Sequence, residues 1–534
     1  MELTRSLVYC DRVKKFLTPF IILLVLMTLT KIDFRFKEIP PGLIVDDAEY
    51  YYHAQTLGID FDLNYANQMD GAPNRNLNKE DPSIVVPVHP IGMGVFAAPF
   101  LFISNSINKV VNLDSVISLN YYLYSFSSIF YLFLSTLLIM KFFDLKKIKY
   151  NLNLLLLIIF GSGVSYFAFE RFSMSHAYEF FGTILIFYLL AYSDVIENKS
   201  KKNIFNFIVG ISLFLIFSIR WSNYFIFIIP FIYAQMFPSK ERLKVFNLSF
   251  FSGALLGNAI YLLHTKILYG VYTYNPADLF LEVEARLSPN YERFFDLTRL
   301  VENIFFIFDS FIKICFGQEF GIFFFSPILF IGFVLIIHLL VKKHFSLSSL
   351  LILSVFIPVM GIVVLQNTAF SYGFRYLFAL IPMFILIYFQ YFQNILVYKY
   401  YLFYMSIFGF LGIVFFETSE FSILYSDYLV NIFGQTTKYV NPTYLSGVVK
   451  SFFIFDSYLN IVFTSFLGVL IIKILGVFTD VYQFVEQFKT INEDISNLIT
   501  NSIDISWTYL MIMLIFYIAW IYFLKYSYAE NKNR

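Results

Sequence analysis

Apolar residues in this chain come in long unbroken runs rather than in the alternation of strands or the narrow stripe of a soluble amphipathic helix. A helix needs about 20 apolar residues to cross roughly 30 Å of hydrocarbon. Runs of that order lie near 16–31, 117–140, 151–169, 175–193, 204–220, 222–238, 246–264, 321–341, 347–365, 374–392, 400–416, 452–475 and 507–525. The pattern predicts an all-α, polytopic integral membrane protein of about 11–13 transmembrane helices. A weaker stretch, Ile91 to Ile103, is interrupted by Gly92, Gly94 and Pro99 and reads as re-entrant or interfacial. The first run follows Arg12, Lys14 and Lys15 as a signal peptide would. Lys31, Asp33 and Arg35 come after it with no small-residue cleavage site, so it reads as a retained signal anchor.

Composition agrees. Of 534 residues 58% are apolar, 14% are charged and 70 are phenylalanine, more hydrophobic surface than a soluble fold of this length buries. The net charge of +1 gives no basic excess for nucleic acid. Cys10 and Cys315 form neither a disulfide framework nor a metal-ligand spacing. Short loops rich in Lys and Arg stay in the cytoplasm. With the N-terminus inside, the clusters Lys141, Lys146, Lys147 and Lys149, then Lys199, Lys201 and Lys202, then Lys240, Arg242 and Lys244, then Lys342 and Lys343 all fall on that side. Three long loops, 32–116, 265–320 and 417–451, then lie outside. Residues 476–506 carry Val477, Val481, Val485 and Phe488 at helical spacing, either along the membrane surface or as a plain connector.

The polar residues that need an explanation gather on the outer side. Asp46 and Asp47 precede a short helix read over Ala48 to Leu57. Capping of that helix accounts for them; so does a carboxylate held among aromatics at a membrane boundary, poised as a general base. His89-Pro90 stands before the interrupted stretch. Arg171, Arg220 and Arg375 each stand alone at the outer end of a predicted span. One such arginine snorkels to the interface by default. Three on one face, together with the acidic pair, suggest an anionic head group, most simply phosphate. No P-loop, dinucleotide glycine pattern or nucleophile elbow occurs.

The order of these pieces resembles the GT-C superfamily of membrane glycosyltransferases, which includes protein O-mannosyltransferases, the lipid A aminoarabinose transferase and relatives labelled family 39. The likeness rests on Asp46-Asp47 followed by Tyr50 and Tyr51, and on His89-Pro90-Ile91-Gly92. It continues through Ser175-His176-Ala177, the helix from Gly210 to Arg220, Phe320-Gly321 to Pro327, and Ser371-Tyr372-Gly373-Phe374-Arg375-Tyr376. It covers roughly residues 1–395 as a catalytic module and leaves 396–534 as a C-terminal transmembrane region without an assigned role. Asp47 stands where glutamate is commoner, and Trp221 follows the arginine where proline is commoner.

The resemblance implies transfer of a sugar, with inversion, from a polyprenyl-phosphate carrier to a hydroxyl on a glycan, lipid or protein acceptor. It implies Asp46 as the base, Asp47 as its support, and Arg375 with Arg171 and Arg220 on the carrier phosphate. His89, His176 and Tyr372 would line the substrate site. The implied location is a bacterial inner membrane with the site on the periplasmic face. No cofactor is expected, although some members of the superfamily bind a divalent metal ion. A lipid or glycan transporter, the alternative, would place ionisable groups near mid-bilayer in broken helices.

Overall fold

The structure, a computed structural model, describes residues 18–30, 46–69, 76–87, 89–111, 116–238, 246–275, 299–317, 321–365, 374–415, 465–478 and 507–532, with isolated positions between 449 and 461. Within these it is almost wholly helical; a two-stranded antiparallel pair, β1 (Asn76–Leu77) and β2 (Val85–Val86), is the one sheet. The helices are α1 (Thr18–Leu29), α2 (Asp46–Gln55), α3 (Gly92–Val111), α4 (Val116–Lys146), α5 (Leu152–Phe160), α6 (Gly163–Phe169), α7 (His176–Val195) and α8 (Lys199–Phe217). They continue as α9 (Ile229–Met236), α10 (Leu248–Tyr269), α11 (Leu300–Phe316), α12 (Pro327–Val341), α13 (Phe345–Leu365), α14 (Ile381–Ile387), α15 (Leu396–Val414), α16 (Phe466–Phe478) and α17 (Trp507–Lys532).

By length and composition, seven of the described helices can cross a membrane alone, the bent pair α5/α6 adds an eighth, and five shorter apolar helices accompany them. Each of the thirteen predicted runs overlaps one of these, so the chain is a multi-pass, all-α membrane protein. Residues Ile39–Phe410 form one compact unit, and Met1–Glu38 with Leu411–Arg534 form another. In the second, Thr30 and Tyr517 share a buried hydroxyl contact, and the Phe466 amide donates to the Thr30 carbonyl at 2.8 Å.

Three local readings are sharpened. The run at 151–169 is not one straight helix but α5 and α6, bent by 71°. Gly161-Ser162-Gly163 provides the break: a Cβ on Gly161 would lie 2.1 Å from the Ser406 carbonyl oxygen of α15, an approach that only glycine permits. The interrupted stretch after Pro90 is a 20-residue helix, α3, with Pro99 inside it, and it is not among the helices apolar enough to cross. The predicted outer loop 265–320 contains α11, whose Val301, Ile304, Phe305, Phe308 and Ile312 recur at helical spacing on an exposed stripe. Residues 476–506, read as a surface stretch or connector, fall almost entirely outside the described residues.

Helix α7 fixes the depth of everything near it. The axial rise from His176 to Asp194 is about 27 Å, close to the thickness of a bilayer core. At the far end Asp194 pairs with Lys146 at 2.7 Å and with the Tyr233 hydroxyl. At the near end lie His176, Arg220 and Arg375. The lone arginines and the lysine-bearing loop therefore occupy opposite ends of the same helices, as the loop charges predict.

Candidate active site

Helix α2 begins on Asp46 and Asp47, where the unpaired N–H groups and the positive end of the helix dipole favour acids. Asp46, Glu49 and His53 then follow at three- and four-residue spacing along it. Glu49 is 3% exposed, and its Oε2 accepts from both the backbone N–H of His89, at 2.9 Å, and the His89 Nδ1, at 2.7 Å. One turn on, the His53 Nε2 lies 2.8 Å from the His89 carbonyl oxygen and its Nδ1 lies 2.7 Å from the Tyr65 hydroxyl.

A carbonyl only accepts, so His53 Nε2 carries the proton and Nδ1 accepts from Tyr65. That tautomer is neutral. Burial pushes the His53 pKa down to about 3 against a smaller raising effect of its bond to His89, and burial pushes the Tyr65 hydroxyl up. The turn at His89 is thus held by two side chains of α2. Two glycines let it settle: a Cβ on Gly94 would lie 2.3 Å from His53 Cβ, and one on Gly92 would lie 2.4 Å from the Ser218 carbonyl carbon. The Gly92 amide instead donates to Ser218 O at 2.9 Å, fastening the His89 turn to the end of α8 two residues before Arg220.

Arg220 is the centre of a second cluster. Its guanidinium lies 4.3 Å from the centroid of the Tyr376 ring, and Arg375 lies 5.4 Å from the same centroid. Its Nη1 reaches His176 Nε2 at 3.1 Å and Ser175 Oγ at 3.4 Å. Glu179, one turn into α7 and 1% exposed, accepts from His176 Nδ1 at 2.8 Å, from Asn223 Nδ2 at 3.4 Å, and pairs with Arg220 Nε at 3.8 Å. Since a guanidinium only donates and a carboxylate only accepts, His176 is protonated on Nδ1 and offers Nε2 to Arg220. Arg375 donates to the Met174 sulfur at 3.7 Å. Phe167 and Phe378 pack on His176, with centroids 4.5 and 5.8 Å away.

Arg171 sits on the turn that delivers Met174 and Ser175 to the arginines, and its side chain is partly exposed. That turn is tied to α2 through rings: Tyr51 meets Tyr124 at 4.9 Å, and Phe172 meets Tyr121 at 5.4 Å and Tyr124 at 6.2 Å. Of the predicted residues, Arg220, Arg375 and His176 converge, while His89 is bound to α2. Asp46 and Asp47 are placed by the backbone at the start of that helix. Tyr372 lies outside the described residues.

Glu49, His53, Glu179, Asn223 and Tyr376 were not singled out from the sequence. The signal existed for Glu179, an acid inside an apolar run of membrane length. It existed for Glu49 too, three residues beyond Asp46 and so on one helix face with it. Among the described residues no group of three or more His, Cys, Asp or Glu could hold a metal ion. The nitrogens of His53 already serve Tyr65 and His89.

No protein-family model and no curated protein matches the sequence. Two solved structures are similar to the fold. One is the crystal structure of an oligosaccharyltransferase from Archaeoglobus fulgidus complexed with Zn and sulfate, at 13% identity and a TM-score of 0.34, covering 81% of this chain and 52% of that one. The other is the archaeal oligosaccharyltransferase AglB from Archaeoglobus fulgidus in complex with an inhibitory peptide and a dolichol-phosphate, at 13% identity and a TM-score of 0.33, covering 84% and 56%. The chain spans about half the length of each.

Proposed function

We propose that this protein is a membrane glycosyltransferase that moves a sugar from a polyprenyl-phosphate carrier to an acceptor hydroxyl on the extracytoplasmic side, with inversion. One observation carries the reading: Arg220 and Arg375, 155 positions apart in sequence, converge on Tyr376. They do so at the helix end joined through Gly92 and Ser218 to the turn that α2 grips. This linkage supports reading the arginine pair and the acidic helix start as parts of one site.

In this reading the acceptor hydroxyl gives its proton to Asp46 as its oxygen bonds to the anomeric carbon, and Asp47 supports that carboxylate. The bond from that carbon to the phosphate oxygen breaks on the opposite face. The phosphate leaves as a monoester with one further negative charge, which Arg220 and Arg375 stabilise, joined by Arg171 from the adjoining turn. His89 and His176 line the two halves, and Tyr372 belongs to the arginine segment. No step requires a cofactor, and a bacterial inner membrane with the site on its periplasmic face is the expected setting. The break between α5 and α6, the one bent pair among the described helices, carries no charge at Gly161-Ser162, unlike the broken helices of a transporter.

The test is transfer by reconstituted protein from polyprenyl-phosphate sugars to a panel of acceptors. Product with inverted configuration that disappears in Asp46→Asn supports the assignment; equal transfer by that variant removes Asp46 as the base. Cysteine labelling in intact cells checks the side: Asp60→Cys is expected to react from outside and Ser200→Cys to be protected.

A further inference from the structure

Glu179 is more buried than Glu49, at 1% against 3% exposed, and the transfer chemistry above leaves it without a task. Its two oxygens divide their work. Oε2 takes the short bond from His176, while Oε1 faces Asn223 and the Arg220 Nε. Through His176, whose Nε2 then meets Arg220 Nη1, the carboxylate holds the guanidinium at two of its nitrogens without closing a direct bidentate pair. Arg220, 14% exposed, keeps its face on Tyr376 beside Arg375. A guanidinium set free here would rotate about a long stem, and the ordering lost would appear in binding of the anion.

We infer that Glu179 is a positioning residue for anion recognition: directly at Nε and through His176 at Nη1, it sets the orientation in which Arg220 meets the carrier phosphate. This rests on the donor reading proposed above. In this assignment Glu179 acts through Arg220 and not on the reacting atoms.

The experiment measures binding of a polyprenyl monophosphate and of the uncharged polyprenol to the full-length protein in lipid nanodiscs. Wild-type protein is expected to prefer the phosphate. Arg220→Gln and Glu179→Gln are each expected to weaken phosphate binding about tenfold or more, the lower end of what losing one hydrogen bond to a charged group costs, and to leave polyprenol binding unchanged. Because both act through one guanidinium, the double variant is expected to bind no more weakly than Arg220→Gln. Glu179→Asp, which keeps the charge and shortens the reach, is expected to fall between and serves where Glu179→Gln does not fold. Additive losses, or equal losses for phosphate and polyprenol, overturn the positioning role while the donor reading stands. A wild-type protein indifferent to the phosphate overturns both.

Discussion

Helix α7 carries an ion pair at each of its ends, and the two are built differently. At the end near the lysine-bearing loops, Lys146 and Asp194 meet directly at 2.7 Å, the Tyr233 hydroxyl joins the same carboxylate, and the ammonium also stands 4.9 Å from the Tyr233 ring centroid and 5.1 Å from that of Phe237. The pair is closed on itself. At the other end Glu179 stays 3.8 Å from Arg220 and gives its short contact to His176. A second guanidinium, that of Arg375, faces the same tyrosine ring as Arg220. A tight cation–anion contact locks helix ends together. A guanidinium oriented through a histidine and set beside a second guanidinium is suited to an anion that can meet both.

The comparison breaks most visibly through chemistry. Asp46→Asn is expected to lower turnover by about 10²–10⁴-fold, the range for removing a general base, with thermal unfolding unchanged. Arg375→Gln and Arg220→Gln are expected to cost about 10²–10³-fold in turnover, the range for losing a donor to a developing anion. The opposite end should behave otherwise. Lys146→Met leaves Asp194 partly buried without its cation, which costs about 1–3 kcal/mol of stability, read as a lowered unfolding temperature in detergent. Turnover per folded molecule should stay within about threefold of wild type, the scale of a residue remote from the reacting groups. A Lys146→Met protein that is stable but inactive would erase the distinction between the two ends.

The sequence makes the large-scale part of this legible because hydrophobic length is read one residue at a time. Every apolar run of membrane length overlaps a helix, and the basic loop that carries Lys146 lies at the end of α7 away from Arg220. Arg220, Arg375 and His176 could be nominated because an arginine or histidine at a span's edge needs an explanation. What the linear pattern hides is pairing. Nothing in the spacing of Glu49 and His89, forty positions apart, says that one carboxylate takes both hydrogen bonds. Likewise Glu179 gains meaning only once α8 brings Arg220 and Asn223 to it. The bend at Gly161 was open to reading from Gly-Ser-Gly, yet the close approach of Ser406 that keeps a glycine there comes from a helix about 245 positions away.

An effect that shows only as pH falls concerns the residue that ties the His89 turn to α2 and makes no claim on the chemistry. His53 is buried between Tyr65 and the His89 carbonyl and stays neutral down to about pH 3 in the folded protein. In the unfolded chain an imidazole titrates near about 6.5. Between those values the unfolded state binds the extra proton. The stability that a neutral His53 contributes is therefore complete above the upper value and is lost as pH falls toward the lower one, by up to about 1.4 kcal/mol per pH unit. His53→Gln keeps an amide that can still reach one partner and removes the titration. Its unfolding temperature should start below that of wild type at pH 7 and fall less steeply between pH 6 and pH 4. Parallel slopes for the two proteins would mean that other groups set the acid sensitivity of this fold, and that the neutral tautomer drawn from Tyr65 and His89 does not govern how the α2 end of the site responds to pH. A shallower slope in the variant would locate an acid-labile clamp at the α2 end of the site.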